Sequence, residues 1–322
     1  MNIEIQKGRI RWIDATRGIA ILLVILGHCI GSLDDPGNKV ILSFHMPLFF
    51  FISGLCAGKA KVFSDYLIKK VKVLLVPTIT LGVFDTLVDL VSGEINRETL
   101  AGNFLGWFLL VLFYVSIIFY IIQKLGFEKK MYIRLLAYVI DLLSVVIVVR
   151  LQIITLLHFE IIPMALLFFM IGYHCKISYS RRARSNNIIF DIWILLIPIG
   201  IICSSYNVPV VMYLNDYGNL FLFFTGAFSG IVVVCKIGER IQSNQLLIWF
   251  GQNTIYFYVL HFSFIKGLHF IGKVLFTNCI VPNYSYPIYW VYYILSLLLL
   301  IPVSMLCSRW FSPLFGKSKS KR

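Results

Sequence analysis

Apolar residues run through this chain in long, nearly unbroken stretches separated by short polar ones. A run of about 17–25 apolar residues suits a helix that crosses the hydrocarbon core of a bilayer. Ten such runs occur, at 13–33, 41–58, 71–91, 104–123, 132–149, 159–175, 188–205, 217–235, 246–265 and 287–307. The pattern predicts an all-α polytopic membrane protein with ten transmembrane helices. The connecting segments are short and contain no Gly/Ser or Pro linker, so residues 1–322 read as a single membrane-embedded domain. Residues 316–322 read as a short, flexible basic tail. The first apolar run has no small-residue cleavage site behind it and reads as a retained span.

Charge orients the pattern. Only 14% of residues are charged, against about 25% in a soluble domain. The net charge of +14 would suggest nucleic acid in a soluble chain. Here it reads as the excess of Lys and Arg that cytoplasmic loops carry, and no nucleic-acid partner is expected. With the N-terminus inside, all of the 29 Lys and Arg fall on the inner side except Lys39, Arg97, Arg150, Lys266 and Lys273. An odd number of spans breaks that alternation, so both termini are expected to be cytoplasmic. The seven cysteines lie scattered, mostly within apolar runs. They lack both metal-ligand spacing and the density of a disulfide framework, and read as small packing residues. No metal is expected.

The costly residues are those inside the apolar runs. By insertion scales an ionisable group at mid-membrane costs about 2.5–3.5 kcal/mol, which favours a functional reason for its presence. In the first span Arg17 and His28 stand eleven residues apart, within roughly 20° of one stripe at ~100° per residue. Asp14 joins that stripe three residues earlier. Topology puts Arg17 near the inner end and His28 about 16 Å further out at ~1.5 Å per residue. His45 in the second span and His261 in the ninth fall at a similar depth, and Glu160 opens the sixth span from outside. Each has a plainer reading: a headgroup-facing histidine, a structural histidine, or an acid suited to a helix N-terminus. Lys69, Lys70 and Lys72 read alone as topology charges, and Trp107 as an interfacial anchor. His158 and His269 are expected in loops. Asp141, in the fifth span, has no evident partner beyond Arg134 two turns earlier.

Taken together, these signals resemble the integral-membrane acyltransferase 3 family. The resemblance rests first on Asp14-x-x-Arg17-Gly18 with Arg17-x10-His28, and on Phe44-His45-Met46-Pro47-Leu48-Phe49-Phe50 followed by Ser53-Gly54. Lys70…Leu74-Leu75-Val76-Pro77, Trp107-Phe108-Leu109…Leu112-Phe113, Gly172-Tyr173 and Gly251-x-Asn253-Thr254-Ile255-Tyr256…Leu260-His261 extend it in family order. Val73 stands where the family usually has a second basic residue, with Lys72 just before it.

The resemblance implies transfer of an acyl group, most often acetyl, from acyl-CoA to a hydroxyl of an extracytoplasmic glycan or lipid-linked sugar. It implies a multi-pass protein of the bacterial cytoplasmic membrane that uses acetyl-CoA as co-substrate and binds no resident cofactor. Its partners are then the acyl-CoA donor, the glycan acceptor and membrane lipid. Arg17, Lys70 and Lys72 become candidates for the phosphates of the donor. His28 becomes the candidate base or, alternatively, a covalent acyl carrier. Glu160, His261 and His45 are supporting candidates for the acid–base chemistry. Trp107, Asn253 and Tyr256 are candidates for the acceptor pocket. A proton-coupled transporter or flippase is the competing class, since intramembrane histidines and a basic inner mouth suit it too.

Overall fold

A computed structural model of the chain describes residues 5–6, 9–93, 96, 106–182, 192–275 and 288–317. Among these, nine helices are long and apolar enough to cross a membrane. The protein is therefore a multi-pass integral membrane protein, and its described core is helical apart from a two-stranded hairpin at Ile5–Gln6 and Arg9–Ile10.

Helix α1 spans Arg11–Ile30 and ends on Gly31, whose φ of 71° is open to a glycine. Helix α2, Pro36–Leu55, starts with Asp35 accepting a bond from the Asn38 N–H. Pro36 suits the first turn of α2, where its missing N–H is no loss. Helix α3, Phe63–Lys70, runs through a π-helical turn, Val71–Leu75, into α4, Val76–Ser92. The π turn ends two residues before Pro77 and includes Val73, four residues back from it. A proline clashes with the carbonyl four residues back, and a widened turn relieves that clash without breaking the helix. The third span is therefore part of one 30-residue helical run, Phe63–Ser92, that extends well before residue 71.

Helices α5, Trp107–Leu125, and α6, Met131–Arg150, form the next pair. A 3-10 turn, Phe159–Ile161, leads into α7, Ile162–Arg182. The seventh expected span is short: residues 188–191 lie outside the described set, and the apolar helical part is Trp193–Tyr206, whose α-helix, α8, is Leu196–Tyr206. Helix α9 is Leu220–Arg240. The ninth expected span, 246–265, corresponds to two helices. Gln245–Gln252 forms α10, the chain breaks at Asn253, and Thr254–Leu275 forms α11. Asn253 closes α10 with its Nδ2 donating to the Trp249 carbonyl at 2.9 Å, a local side-chain bond that competes with the helix where periodicity alone shows a continuous apolar run. His269 accordingly sits in helix α11, against Tyr292, rather than in a loop. Helix α12 is Ile288–Trp310.

The two ends of the bundle are coherent. At one end, the basic end, Lys124 donates to the Lys61 carbonyl and Lys176 to the Ala57 carbonyl, and Lys59 pairs with Glu128. The last described residues dock at this end as well. Thr80 Oγ1 donates to the Leu314 carbonyl at 2.6 Å, and Lys317 Nζ donates to the Gln252 carbonyl at 2.9 Å. The basic tail is thus anchored at its start, while residues 318–322 lie outside the described set. At the far end Lys39 reaches the Ser205 carbonyl, and Asn215 donates to the carbonyls of Val148 and Ile153.

Glycines bring the central helices together. A Cβ on Gly54 would run into the Phe169 backbone, and one on Gly172 into the Phe51 backbone, so α2 and α7 touch main chain to main chain. Gly18 and Gly251 do the same for α1 and α10, with Leu247 and Asp14 as the obstructing backbones. Without a hydrophobic driving force between helices in lipid, close backbone approach of this kind is a principal source of association.

Candidate functional site

Helix α1 carries the site at its two ends. At the basic end Arg17 Nη1 lies 3.8 Å from Asp14 Oδ1, and Gln252 Nε2 donates to Asp14 Oδ2 at 3.3 Å. Asp14 is buried, and its carboxylate ties the start of α1 to the end of α10. Arg17 faces a cavity of ≈ 580 Å³ whose wall also includes Lys176 of α7 and Lys236 of α9. Lys236 pairs with Glu239 at 2.8 Å, and Glu239 lines the same space. Three cations thus converge from three helices, two of them held by carboxylates.

Lys70 and Lys72 belong to the same end but not to that cavity. Lys70 Nζ sits 5.3 Å from the centre of the Tyr66 ring. Lys72 lies in the π turn and lines a separate depression with Asp65, Lys69 and Gly316. The π turn shifts the facing of everything before Pro77, so a straight-helix projection does not carry Lys72 to Arg17.

At the far end of α1 the imidazoles meet. The rings of His28 and His261 lie 5.0 Å apart, tilted by 53°. His45 is within electrostatic reach of both. His45 Nδ1 is 2.8 Å from the Ile41 carbonyl, and His261 Nδ1 is 2.8 Å from the Tyr258 carbonyl. A carbonyl only accepts, so each Nδ1 carries a proton, and in the neutral form of each ring Nε2 is the basic nitrogen. Among the described residues, buried His261 Nε2 has no hydrogen-bond partner. His28 packs against His261 and Phe262 and is otherwise exposed.

Aromatic rings line the approach. Trp107 packs on Phe108, with ring centres 6.0 Å apart; Phe108 packs on Tyr258 at 5.3 Å, and Tyr258 on His261 at 6.0 Å. Trp107 is joined to the imidazoles by that chain of contacts. The other acceptor candidates have their described contacts at the basic end. Asn253 forms the corner between α10 and α11. Tyr256 donates to Ser312 Oγ at 3.4 Å and carries Lys317 over its ring at 4.4 Å. Glu160 is held locally: Oε2 accepts from the Thr155 N–H and Oγ1, and Oε1 stands 3.5 Å from His158 Nδ1. It closes the turn that starts α7.

Several groups escape the sequence reading. Lys176 and Lys236 look like topology charges until the cavity brings them beside Arg17. Asp85 and Asp89 of α4 face Ser263 and Lys266 of α11, at 2.5 and 2.9 Å. Their signal is present in the chain as two carboxylates one turn apart inside an apolar span, a costly arrangement without a partner. Asp141 is buried near Tyr138, and its Oδ2 has no hydrogen-bond partner among the described residues; its stripe includes Arg134, which meets His174 at 3.2 Å.

The fold and the site define a membrane-embedded helical protein with a cavity bordered by three cations at one end and a cluster of imidazoles at the other. The chain belongs to a family of membrane acyltransferases, the acyltransferase 3 family, whose sequence model, described as an acyltransferase domain, matches residues 10–309. No curated protein and no solved structure matches the chain.

Proposed function

We propose that the protein is a membrane O-acyltransferase that moves an acetyl group from acetyl-CoA at the basic end to a hydroxyl of a glycan or lipid-linked sugar at the far end. On this reading the bundle has ten spans, with both termini and the basic end in the cytoplasm and the imidazoles toward the outside. The observation that carries it is the joint placement of Arg17 and His28 on α1, within a chain of the acyltransferase family. Arg17 borders the ≈ 580 Å³ cavity, and His28 stands exposed with its ring 5.0 Å from that of His261.

The chemistry follows from the two environments. Arg17, Lys176 and Lys236 take the phosphates of the donor, Arg17 and Lys236 exchanging their carboxylate partners and Lys176 the Ala57 carbonyl for phosphate oxygens. Lys70 and Lys72 add to the positive field at this mouth. Arg17 and His28 are about 16 Å apart along α1 at ~1.5 Å rise per residue, a span for the flexible thioester arm of the donor. At the far end neutral His28 takes the proton of the attacking hydroxyl. The oxygen attacks the thioester carbonyl, the C–S bond breaks, and the proton ends on the departing CoA sulfur. His261, with its free Nε2, and His45 keep the site basic and hold His28 in place. Trp107 and the rings that follow it wall the acceptor side.

The test is release of CoA from acetyl-CoA by the purified protein in lipid nanodiscs. His28→Ala abolishes turnover and Arg17→Ala weakens it, both with the wild-type melting profile. Movement of glycan across vesicles without thioester cleavage would make the protein a transporter and sink this reading.

A further inference from the structure

At the basic end, apart from the cavity beside Arg17, a second depression opens at the start of the third span. Its wall is Asp65, Ile68, Lys69, Lys72, Val73 and Gly316, around a volume of ≈ 370 Å³. Ile68, Lys69, Lys72 and Val73 are exposed. The floor is main chain: a Cβ on Gly316 would run into the Lys72 carbonyl and the Val73 Cα, so the C-terminal segment lies directly on the π turn. Thr80 Oγ1, donating to the Leu314 carbonyl at 2.6 Å, ties that segment to α4. Lys70 turns onto the Tyr66 ring and is not part of the wall.

Two independent observations bear on what fills the depression. The first is charge. Lys59, Lys124, Lys176, Lys236 and Lys317 are each bonded to a carboxylate or a carbonyl. Among the described residues neither Lys69 nor Lys72 has such a bond. Against their two charges the wall sets one carboxylate, Asp65. The second is the apolar surface that leads to it. Ile79, Val83, Leu87 and Leu90 of α4 are exposed and follow one another at four, four and three residues, so they form one face of the helix. On a membrane span such a face meets lipid tails, which are as apolar as leucine. Towards the basic end the next exposed residues along the chain are Val73 and Lys72, then Lys69 and Ile68. Trp310, Phe311 and Leu314, at and beyond the end of α12, are exposed as well, and tryptophan favours the level where hydrocarbon meets headgroups. The lipid-facing stripe of α4 thus ends in two unbonded cations.

We propose that this depression is the headgroup site of one anionic phospholipid from the leaflet at the basic end. Its phosphate lies between Lys69 and Lys72, which bind it as point charges. Its acyl chains run along Ile79, Val83, Leu87 and Leu90. A basic pocket at the end of a span is a form of site that anionic headgroups fill. Asp65 selects among them. A carboxylate accepts from hydroxyls, so a glycerol headgroup fits, and phosphatidylglycerol is the matching lipid. A choline headgroup has no hydroxyl to donate, and its own cation stands against Lys69 and Lys72. The proposal is independent of the acyltransferase reading, in which Lys72 acts on the donor only through its field.

The experiment titrates the full chain in detergent with phosphatidylglycerol or phosphatidylcholine and reads bound lipid by native mass spectrometry. The wild type is expected to hold one phosphatidylglycerol about tenfold or more tightly than phosphatidylcholine. Lys69→Gln and Lys72→Gln together are expected to remove that preference. Lys129→Gln, at an exposed lysine in the loop between α5 and α6, is expected to leave it at the wild-type value. Dihexanoyl phosphatidylglycerol keeps the headgroup and shortens the chains, and is expected to bind the wild type about tenfold or more weakly. That comparison reads the site even if a variant fails to fold. Equal retention of the two long-chain lipids overturns the site, as does a preference that survives the double variant or is lost equally with Lys129→Gln. Binding of inorganic phosphate or of the short-chain lipid as tight as that of the long-chain lipid also overturns it, because the stripe of α4 then plays no part.

Discussion

The two ends of α1 solve opposite problems. At the basic end each described charge lining the cavity has a partner: Asp14 for Arg17, Glu239 for Lys236, and the Ala57 carbonyl for Lys176. At the far end Nδ1 of His45 and of His261 is held on a backbone carbonyl, and among the described residues His261 Nε2 has no hydrogen-bond partner. The difference teaches how each end can be used. Paired cations hold their positions in the empty protein and can trade a carboxylate for a phosphate, so they suit binding. Unpaired neutral nitrogens have nothing to trade and receive a proton directly, so they suit chemistry. Substitutions at the two ends should therefore fail in different ways.

The largest effect is expected at the far end. His28→Ala removes the base, and general-base catalysis contributes roughly 10²–10⁴-fold. The loss should appear in kcat for acetyl transfer, with acetyl-CoA affinity and melting temperature close to wild type. A variant that loses donor affinity in proportion to turnover would erase the distinction between the ends.

The next effect lies at the basic end. Arg17→Ala and Lys236→Met each remove a charge-assisted bond of about 1.5–3 kcal/mol, or on the order of 10- to 100-fold. The loss should fall on KM for acetyl-CoA and be smaller for a CoA analogue lacking its 3′-phosphate. Lys236→Met also frees Glu239, which makes its penalty sensitive to salt. If KM is unchanged while kcat drops, the cavity is not the donor site.

Both ends depend on a scaffold that touches neither. Gly54→Val would drive its side chain into the Phe169 backbone, and Gly172→Val into the Phe51 backbone. Overpacking of this kind costs about 1–3 kcal/mol. Thermal unfolding in nanodiscs should show both variants less stable, while any protein that remains folded keeps the wild-type ratio of kcat to donor affinity. A shift in that ratio would mean that the α2–α7 contact tunes His45 as well as supporting it.

Much of this was legible in the sequence because lipid enforces simple rules. Apolar length located nine spans now seen as helices, and the charge bias grouped the loops that are bonded to one another at the basic end. Arg17 and His28 stood out because each is expensive where it sits. The parts that stayed hidden are those set by contacts between helices. The break at Asn253 lies inside a continuous apolar run. The π turn before Pro77 redirects Lys72, and no periodicity records it. Asp85 and Asp89 carry the same signal of cost as His28, but their meaning comes from Ser263 and Lys266, which arrive from a helix some 180 residues later. The fold brings Lys176 and Lys236 to Arg17 in the same way.

The smallest effect concerns the outer face of the basic end. Glu128 lies in the loop between α5 and α6 and is bonded by Lys59 and by the Tyr173 hydroxyl, which also accepts from Gln123 Nε2 at 2.6 Å. Burial works to raise the Glu128 carboxyl, but the bonds from Lys59 and Tyr173 and the Lys59 charge outweigh it and hold the group below its usual value. A carboxyl depressed in the folded state stabilises fully above its unfolded value, and that stabilisation is lost as pH falls through the folded one. The clamp is therefore intact at neutral pH and loosens only on acidification below the ordinary glutamate range. Lys59 is largely exposed, so the pair is worth no more than about 1 kcal/mol. Glu128→Gln should lower the melting temperature slightly at pH 7, less at low pH, and leave both kcat and the donor KM unchanged. A rise in donor KM instead would extend the cationic mouth from Arg17 to this loop, and the basic end would then act as one continuous anion site rather than a cavity with a separate clamp.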